Sequence, residues 1–575
     1  MKSVNLLSPI LCLLLLLSCS SEKDITVKLY HTTDMHGNYF PHDFIKNTNN
    51  KGSLARVSTF MKEKREEYGS KVLFIDGGDV LQGQPTVYYY NFIDTIALHS
   101  CARVMNYLNY DVATVGNHDI ETGHSVYDRW IAQCDFPVLG ANVIDVDKDR
   151  PYFTPYYTCQ KGGLKIAVIG MVTEAIPAWL PENLWAGLRF DNIQLTAQKW
   201  IPYIREKEKP DILIALIHSG VKSTGDLTGY IENEGLELAK TVSGIDVVLC
   251  GHDHSLFCEK VANAEGDSVL IVDPGAWGTY ISDVTIKVKK KGGKILSKNV
   301  SGNVVNIATI EPDQEFVNHF DDIYQATQQY VDEEIGEFTC AISAKESFFG
   351  PSAYNDLLHT LQLKLTGADV SFVAPLSQTA FIDSGKVYMR DMFNLYRYEN
   401  LLYTMKLTGQ EIKDAMEYFY GLSTNKMTSP NDHLLLIEPG ERGGRYRFIH
   451  PSFSFDTAAG IIYTVDASKS KGKRIEIHSM ADASPFDLNK TYMVAINSYQ
   501  GCGGGGILTE GAGISKEELK ERIVNSTNKD LRYHLAKEIR KKKVITPKPL
   551  NHWKFIPEKW TIEAAKRDYK LLFGE

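Results

Sequence analysis

The sequence predicts an α/β protein built in two parts, on three observations. Apolar, β-branched runs recur through the first half and stop abruptly in glycine and polar residues, as central strands of a sheet covered on both faces do. Helical stretches alternate with these runs, which is the pattern of layered α/β folds. The chain is 575 residues long, more than one hydrophobic core organises, and a second, smaller α/β set follows a connecting helix after about residue 311.

At the N-terminus, Lys2 precedes an apolar run from Ile10 to Leu17, broken only by Cys12 and followed by Ser18-Cys19-Ser20-Ser21. This run is too short to cross a bilayer as a mature helix and has the form of a signal h-region. Leu16-Leu17-Ser18-Cys19 resembles the bacterial lipobox, which implies cleavage before Cys19 and a lipid on its sulfur. Residues 1–19 are therefore expected to be a lipoprotein signal peptide, with the mature chain exported to the periplasm or held at the outer membrane through Cys19 alone. Seven cysteines follow: Cys101, Cys134, Cys159, Cys250, Cys258, Cys340 and Cys502. Without CxxC pairs they do not form a thiolate metal site. Cys250 and Cys258 could be bridged, buried free thiols being the simpler reading. The net charge of -9 opposes a nucleic-acid polymer as partner but leaves room for a single nucleotide.

The first domain is expected over residues 24–311. Its strand Val27 to Tyr30 leads into Asp34-Met35-His36, and Leu54 to Tyr68 reads as a helix with Leu54, Val57 and Met61 on one face. Val72 to Ile75 leads into Gly78-Asp79, and Val112 to Val115 into Gly116-Asn117-His118-Asp119. A helix from Gln194 to Glu208 ends before Pro210; Ile212 to Ile217 then delivers His218, and Val247 to Cys250 delivers Gly251-His252-Asp253-His254. Lys287 to Lys294, with Gly292-Gly293, reads as a hairpin turn. Five strand ends thus offer Asp34, His36, Asp79, Asn117, His218, His252 and His254, and ligands of such sheets collect outside one set of strand ends. One Asp-x-His pair is a weak signal; five agreeing parts are a strong one. Carboxylate, imidazole and amide oxygen suit two divalent ions of Mn, Zn, Fe or Co. Asp79, with two carboxylate oxygens, is the natural bridge. Two cations about 3.5 to 4 Å apart can hold a hydroxide and neutralise a phosphoryl group, which points to phosphate ester hydrolysis.

Glu311-Pro312-Asp313 opens a helix in which Phe316, Phe320, Ile323 and Tyr324 repeat at three- and four-residue spacing. Residues 312–338 are expected to be a linker helix, 339–550 a second domain and 551–575 a C-terminal tail. The second domain shows strands Val370 to Val373 and Tyr492 to Ile496, a helix near Gly409 to Tyr420, and the glycine run Gly501 to Gly506. The basic run Arg540 to Lys543 reads as a solvated helix face.

Together, Asp34-Met35-His36, Gly78-Asp79, Gly116-Asn117-His118-Asp119, His218 and Gly251-His252-Asp253-His254 resemble the successive motifs of calcineurin-like metallophosphoesterases. Motif order and second-domain size are similar to the exported branch of 5′-nucleotidases and 2′,3′-cyclic-nucleotide 2′-phosphodiesterase/3′-nucleotidases. The resemblance implies a four-layer sandwich, two sheets flanked by helices, plus a smaller α/β C-terminal nucleotide-binding domain. It implies one metal at Asp34, His36, Asp79 and His254, another at Asp79, Asn117, His218 and His252, and a catalytic His118. The branch places a carboxylate three positions after that histidine; Glu121 stands there, with Asp119 nearer in sequence. It also implies a base clamp of two aromatic rings. Ser454 to Gly460 and Asn497 to Gln500 resemble its two passages, making Phe455 and Tyr499 the candidates, with core packing the rival reading for each. Gly503 and Gly504 are the candidates for close approach to substrate.

Ala374 to Phe381 and Asn394 to Asn400 look more like the cyclic phosphodiesterase/3′-nucleotidase branch than the Gly-Gly-x-Arg passage of 5′-nucleotidases. The expected function is hydrolysis of 2′,3′-cyclic nucleotides to 3′-nucleotides and removal of the 3′-phosphate, by a monomer acting on small nucleotides. The alternatives are a 5′-nucleotidase or nucleotide-sugar hydrolase, and a non-catalytic nucleotide-binding lipoprotein.

Overall fold

The computed structural model describes residues 22–223, 226–227, 229–440 and 444–574. The expected signal peptide and Cys19 lie outside the described residues. Two six-stranded sheets form the centre of the N-terminal part. In one, Lys23–Thr32, Val72–Asp76, Val112–Thr114 and Val138–Leu139 run parallel, and the antiparallel hairpin Tyr280–Lys291 and Lys294–Asn306 completes one edge. In the other, Leu164–Val172, Ile212–His218, Val247–Leu249 and Ser268–Pro274 run parallel between antiparallel edges Tyr156–Lys161 and Leu256–Ala262. The hairpin turns at Gly292 and Gly293, both at positive φ (56° and 79°), as a two-residue turn requires.

Strand alternation sorts the side chains into layers. Val27, Leu29, Leu73 and Ile75 of one sheet pack against Ile166, Val168, Ile214 and Leu216 of the other in a single cluster. Tyr30, Phe74 and Ala113 point the opposite way, against the helix Leu54–Tyr68 and its neighbours. Ala167, Ile169, Leu213 and Ala215 face the helices Ile193–Glu208 and Gly235–Thr241. The result is the helix–sheet–sheet–helix order that the resemblance implies. Each fully buried Leu, Ile or Val contributes roughly 1.5–3 kcal/mol, so the layer between the sheets and the helix-covered layers outside them all contribute to the stability of this part.

The connection differs from the expected single helix. Asp313 caps Gln314–His319, the chain breaks at Phe320 (φ -106°, ψ 23°), and a second helix runs over Asp321–Val331. Phe316, Phe320 and Ile323 sink into the N-terminal core, which explains their spacing. Residues Glu334–Phe338 form a strand paired with Gly385–Tyr388 and Val544–Ile545, and so belong to the C-terminal part. Its Glu-Ile-Gly-Glu-Phe sequence supplies the central strand of this three-stranded sheet rather than a last helical turn.

The C-terminal part is built on a five-stranded sheet of Thr457–Ala459, Val370–Val373, Thr491–Asn497, Leu402–Thr408 and Ile523–Ser526, in that spatial order. The helix Gly409–Ser423 starts from a capping box in which Thr408 and Glu411 satisfy each other's backbone N–H groups. Residues 551–575 are not a tail. Trp553–Ile556 pairs parallel with Ile461–Asp466, and the helix Glu558–Phe573 buries Ala564, Leu572 and Phe573 in the second core. Asp568, fully buried on that helix, accepts N–H bonds from Leu434 and Leu435. All seven described cysteines are free thiols, so Cys250 and Cys258 are not bridged.

Candidate metal centre and substrate cleft

The seven expected ligands come together at the C-terminal ends of the parallel strands, and the backbone there is unusual. Asp34, His36, Asp79, His252 and His254 all have positive φ, between 48° and 83°. Such conformations cost on the order of 1–3 kcal/mol each and persist only where surrounding structure fixes them. Here Asp34 N donates to Gly78 O (2.9 Å) and His36 N to Asp79 O (3.0 Å). His252 N donates to the Asp34 carboxylate (3.1 Å). The buried Asp119 carboxylate accepts the N–H groups of Asp79, Val80, Leu81 and Gly116 at 2.8–2.9 Å. Gly116 lies so close that a β-carbon on it would sit 2.1 Å from Asp79 Oδ1, and one on Gly251 2.2 Å from Thr33 Oγ1.

Two ligand groups result. One nitrogen or oxygen from each of Asp34, His36 and His254 lies within 4.8 Å of the others, and the same holds for Asp79, His218 and His252. Asn117 Oδ1 joins the second group, 2.8 Å from His252 Nδ1 and 3.2 Å from His218 Nε2. Asp79 anchors the second group: Oδ1 accepts the His118 N–H (2.8 Å) and Oδ2 is 3.1 Å from His218 Nε2.

Outer contacts fix the imidazole tautomers. His36 Nδ1 donates to Gln82 O (2.9 Å), His218 Nδ1 to Gly77 O (2.7 Å) and His252 Nε2 to Glu232 Oε1 (2.9 Å). The remaining ring nitrogens therefore turn lone pairs into the centre, as histidines that bind metals do. Carboxylates, an amide oxygen and oriented imidazoles fit first-row divalent cations. Glu232 carries no sequence motif; only its contact with His252 reveals it. Glu232→Ala is expected to weaken cation binding at the second group about 10- to 100-fold, read from a metal-binding isotherm.

His118 follows Asn117 on the short helix Asn117–Glu121, and its Nδ1 is hydrogen-bonded to Glu121. Burial would depress the imidazole, but the Asp79 and Glu121 carboxylates outweigh it and raise the pKa to about 9. Glu121, rather than Asp119, is thus the partner, because Asp119 is fully engaged by the backbone of the Asp79 and Gly116 loops.

A cavity of about 380 Å³ opens beside this group, walled by Asn117, His118, Glu121, Trp179, Glu232 and His252 from the N-terminal part. Tyr398, Asn400, Phe453, Asn497, Tyr499 and Gly505 wall it from the C-terminal part. Trp179 stacks on the His252 ring, 5.5 Å between centroids. Tyr398 and Asn400 come from the passage Asn394 to Asn400, whose resemblance did not single them out. The aromatic pair in the cavity is Phe453 and Tyr499, with ring centroids 6.1 Å apart. Phe455 is not part of it: the turn Ser452–Ser454 directs Phe455 inward, 5.3 Å from Phe348 and 4.7 Å from Phe448 in the core. Gly503 and Gly504 do not wall the cavity either. Gly504 packs under the Tyr499 ring, where a β-carbon would come within 2.6 Å of it, and Gly505 is the glycine that faces the cavity.

Residues 27–256 match the family described as calcineurin-like phosphoesterase, and residues 306–510 match the 5′-nucleotidase C-terminal domain. The trifunctional nucleotide phosphoesterase protein YfkN of Bacillus subtilis is 27% identical over 96% of this chain, which spans 41% of that protein's length. The 2′,3′-cyclic-nucleotide 2′-phosphodiesterase/3′-nucleotidase of Salmonella typhimurium is 25% identical over 93% of the chain and 89% of that protein. In fold, the crystal structure of a 5′-nucleotidase precursor from Thermus thermophilus superposes with a TM-score of 0.62 at 21% identity, covering 93% of this chain and 100% of that one. With both halves matched and the strand-end ligands assembled, the chain belongs to the calcineurin-like metallophosphoesterases that carry a 5′-nucleotidase C-terminal domain, and it is a metal-dependent hydrolase.

Proposed function

We propose that the protein hydrolyses nucleotide phosphoesters, opening 2′,3′-cyclic nucleotides at the 2′-oxygen and then removing the 3′-phosphate. The observation that carries this reading is the shared cavity: the Asn117–His252 ligand group and the Phe453–Tyr499 pair face the same space. Phe453 and Tyr499 meet edge to face at 6.1 Å, so a nucleoside base would enter once the rings part, and would then direct its ribose phosphate at His118 and the ligand groups. Bound cations would supply charge neutralisation at the phosphoryl oxygens and lower the pKa of the attacking water. The chain's own residues do the rest. Glu121 holds His118 by Nδ1, so Nε2 is the nitrogen that donates to a phosphoryl oxygen or to the departing ribose oxygen. Attack forms one P–O bond and breaks the one to ribose, whose oxygen takes the His118 proton.

Stacking accepts any base, so broad nucleotide use is expected, and each stacked ring contributes about 1–3 kcal/mol. Phe453→Ala and Tyr499→Ala should each raise KM about 10- to 100-fold with a smaller change in kcat, measured by initial-rate kinetics. The cyclic and 3′-nucleotide assignment rests on the Ala374 to Phe381 and Asn394 to Asn400 passages and on the Salmonella relative. A 5′-nucleotidase is the alternative on the same centre. The lipobox-like Leu16 to Cys19 supports an exported, lipid-anchored protein, and among the described residues no helix is long and apolar enough to cross a membrane. Phosphate release from 2′,3′-cyclic AMP plus 3′-AMP, compared with 5′-AMP under added Mn²⁺, tests the assignment. Turnover of the first two supports it; turnover of 5′-AMP alone overturns it.

A further inference from the structure

A third group of ligand-type side chains lies in the C-terminal part, away from the cleft. One nitrogen or oxygen from each of Asp356, His359 and His552 lies within 4.8 Å of the others. All three residues are buried, at 2%, 0% and 5% exposure. Asp356 and His359 are one turn apart on the helix Ala353–Thr366, while His552 immediately precedes the strand Trp553–Ile556.

The hydrogen bonds around this group fix which nitrogen of each imidazole carries the lone pair. Ser371 Oγ donates to Gln362 Oε1 (2.8 Å), so it accepts from His359 Nδ1 (3.0 Å) and leaves the lone pair on His359 Nε2. That nitrogen faces the Thr457 hydroxyl (2.9 Å), which has a second acceptor, Val373 O, at 3.3 Å. His552 Nε2 donates to Ala458 O (2.6 Å). The lone pair of His552 is thereby placed on Nδ1, a buried atom without a hydrogen-bond partner. Asp356 Oδ2 accepts the Leu550 N–H (2.7 Å), and no basic side chain pairs with the carboxylate among the described residues. A buried carboxylate facing only neutral groups is costly to keep charged, so either a proton or a cation must compensate it. Outer donors and acceptors fix these two imidazoles in the same way as His36 and His218 in the cleft.

We propose that Asp356, His359 and His552 form a separate structural site for one divalent cation of the zinc class, with the Thr457 hydroxyl at its edge. Two imidazoles and a carboxylate are a zinc donor set, and a closed, buried position is the form of a structural site. Such an ion would tie the segment from Leu550 to Trp553 to the helix Ala353–Thr366, and so hold the C-terminal strand and helix onto the sheet.

The test is metal counting on zinc-loaded, desalted full chain, comparing the parent with Asp356→Asn and His552→Gln. Each variant is expected to hold one zinc equivalent fewer than the parent while retaining phosphate release. Equal zinc content in parent and variants overturns the site. Should the variants fail to fold, diffraction at the zinc edge from crystals of the unaltered chain decides: a peak is expected about 2.0–2.2 Å from the Asp356, His359 and His552 ligand atoms. No peak there overturns the proposal and leaves a hydrogen-bonded polar core.

Discussion

His118→Ala should lower phosphate release by about 10²- to 10⁴-fold while the chain keeps its metals, because proton donation in the transition state is worth that much. The side chain of His118 belongs to neither ligand group; only its backbone N–H contacts Asp79, and alanine retains that bond. Metal analysis and kinetics on the same preparation separate the two effects. Unreduced turnover would remove His118 from the mechanism, and loss of metal would make it a ligand. The partner residue gives a graded version of the experiment: Glu121→Gln leaves the ring in place but removes the carboxylate that favours imidazolium, so its loss should be smaller.

Asp79→Asn should be more damaging, since the family resemblance assigns this side chain to both metals and it already stands in the second ligand group. Losing the stabilisation of a cation pair costs several kcal/mol of transition-state energy, on the order of a thousand-fold in rate or more. The loop itself should survive, because it is held by backbone bonds to the Asp119 carboxylate rather than by the Asp79 side chain. The expected signature is a folded protein whose Tm no longer rises when Mn²⁺ is added, since a ligand stabilises the folded state only by binding it. A variant with a normal metal-dependent Tm rise and near-normal turnover would show that Asp79 is not shared.

Much of the centre was legible in the chain because each part is a local signal: an apolar run, a glycine or turn, then a ligand-type residue. Asp34, Asp79, Asn117 and His252 could be picked out in this way, and parallel strand pairing brings such ends together without further instruction. The left-handed backbone at five ligands was not legible, since it arises from hydrogen bonds between loops that lie from about 40 to more than two hundred residues apart in sequence. The Glu232 contact was not legible because Glu232, 20 residues before His252, follows no apolar run and carries no ligand motif. Phe455 and Phe453 differ by two residues, and composition does not say which of the two faces the cleft. That depends on the turn Ser452–Ser454 and on Phe348 and Phe448 waiting to receive one ring. The strand Glu334–Phe338 was hidden because its partners, Gly385–Tyr388 and Val544–Ile545, are distant in sequence. The final helix was hidden because its apolar face is filled out by Ala564 and by the buried acid Asp568.

Anomalous diffraction at the manganese edge, from crystals grown with Mn²⁺ and orthophosphate, addresses the two-cation cleft most directly. Two peaks about 3.5 to 4 Å apart are expected, on either side of Asp79, with phosphate within hydrogen-bond reach of His118 Nε2. A single peak, or phosphate bound away from His118 and the Phe453–Tyr499 pair, would contradict it.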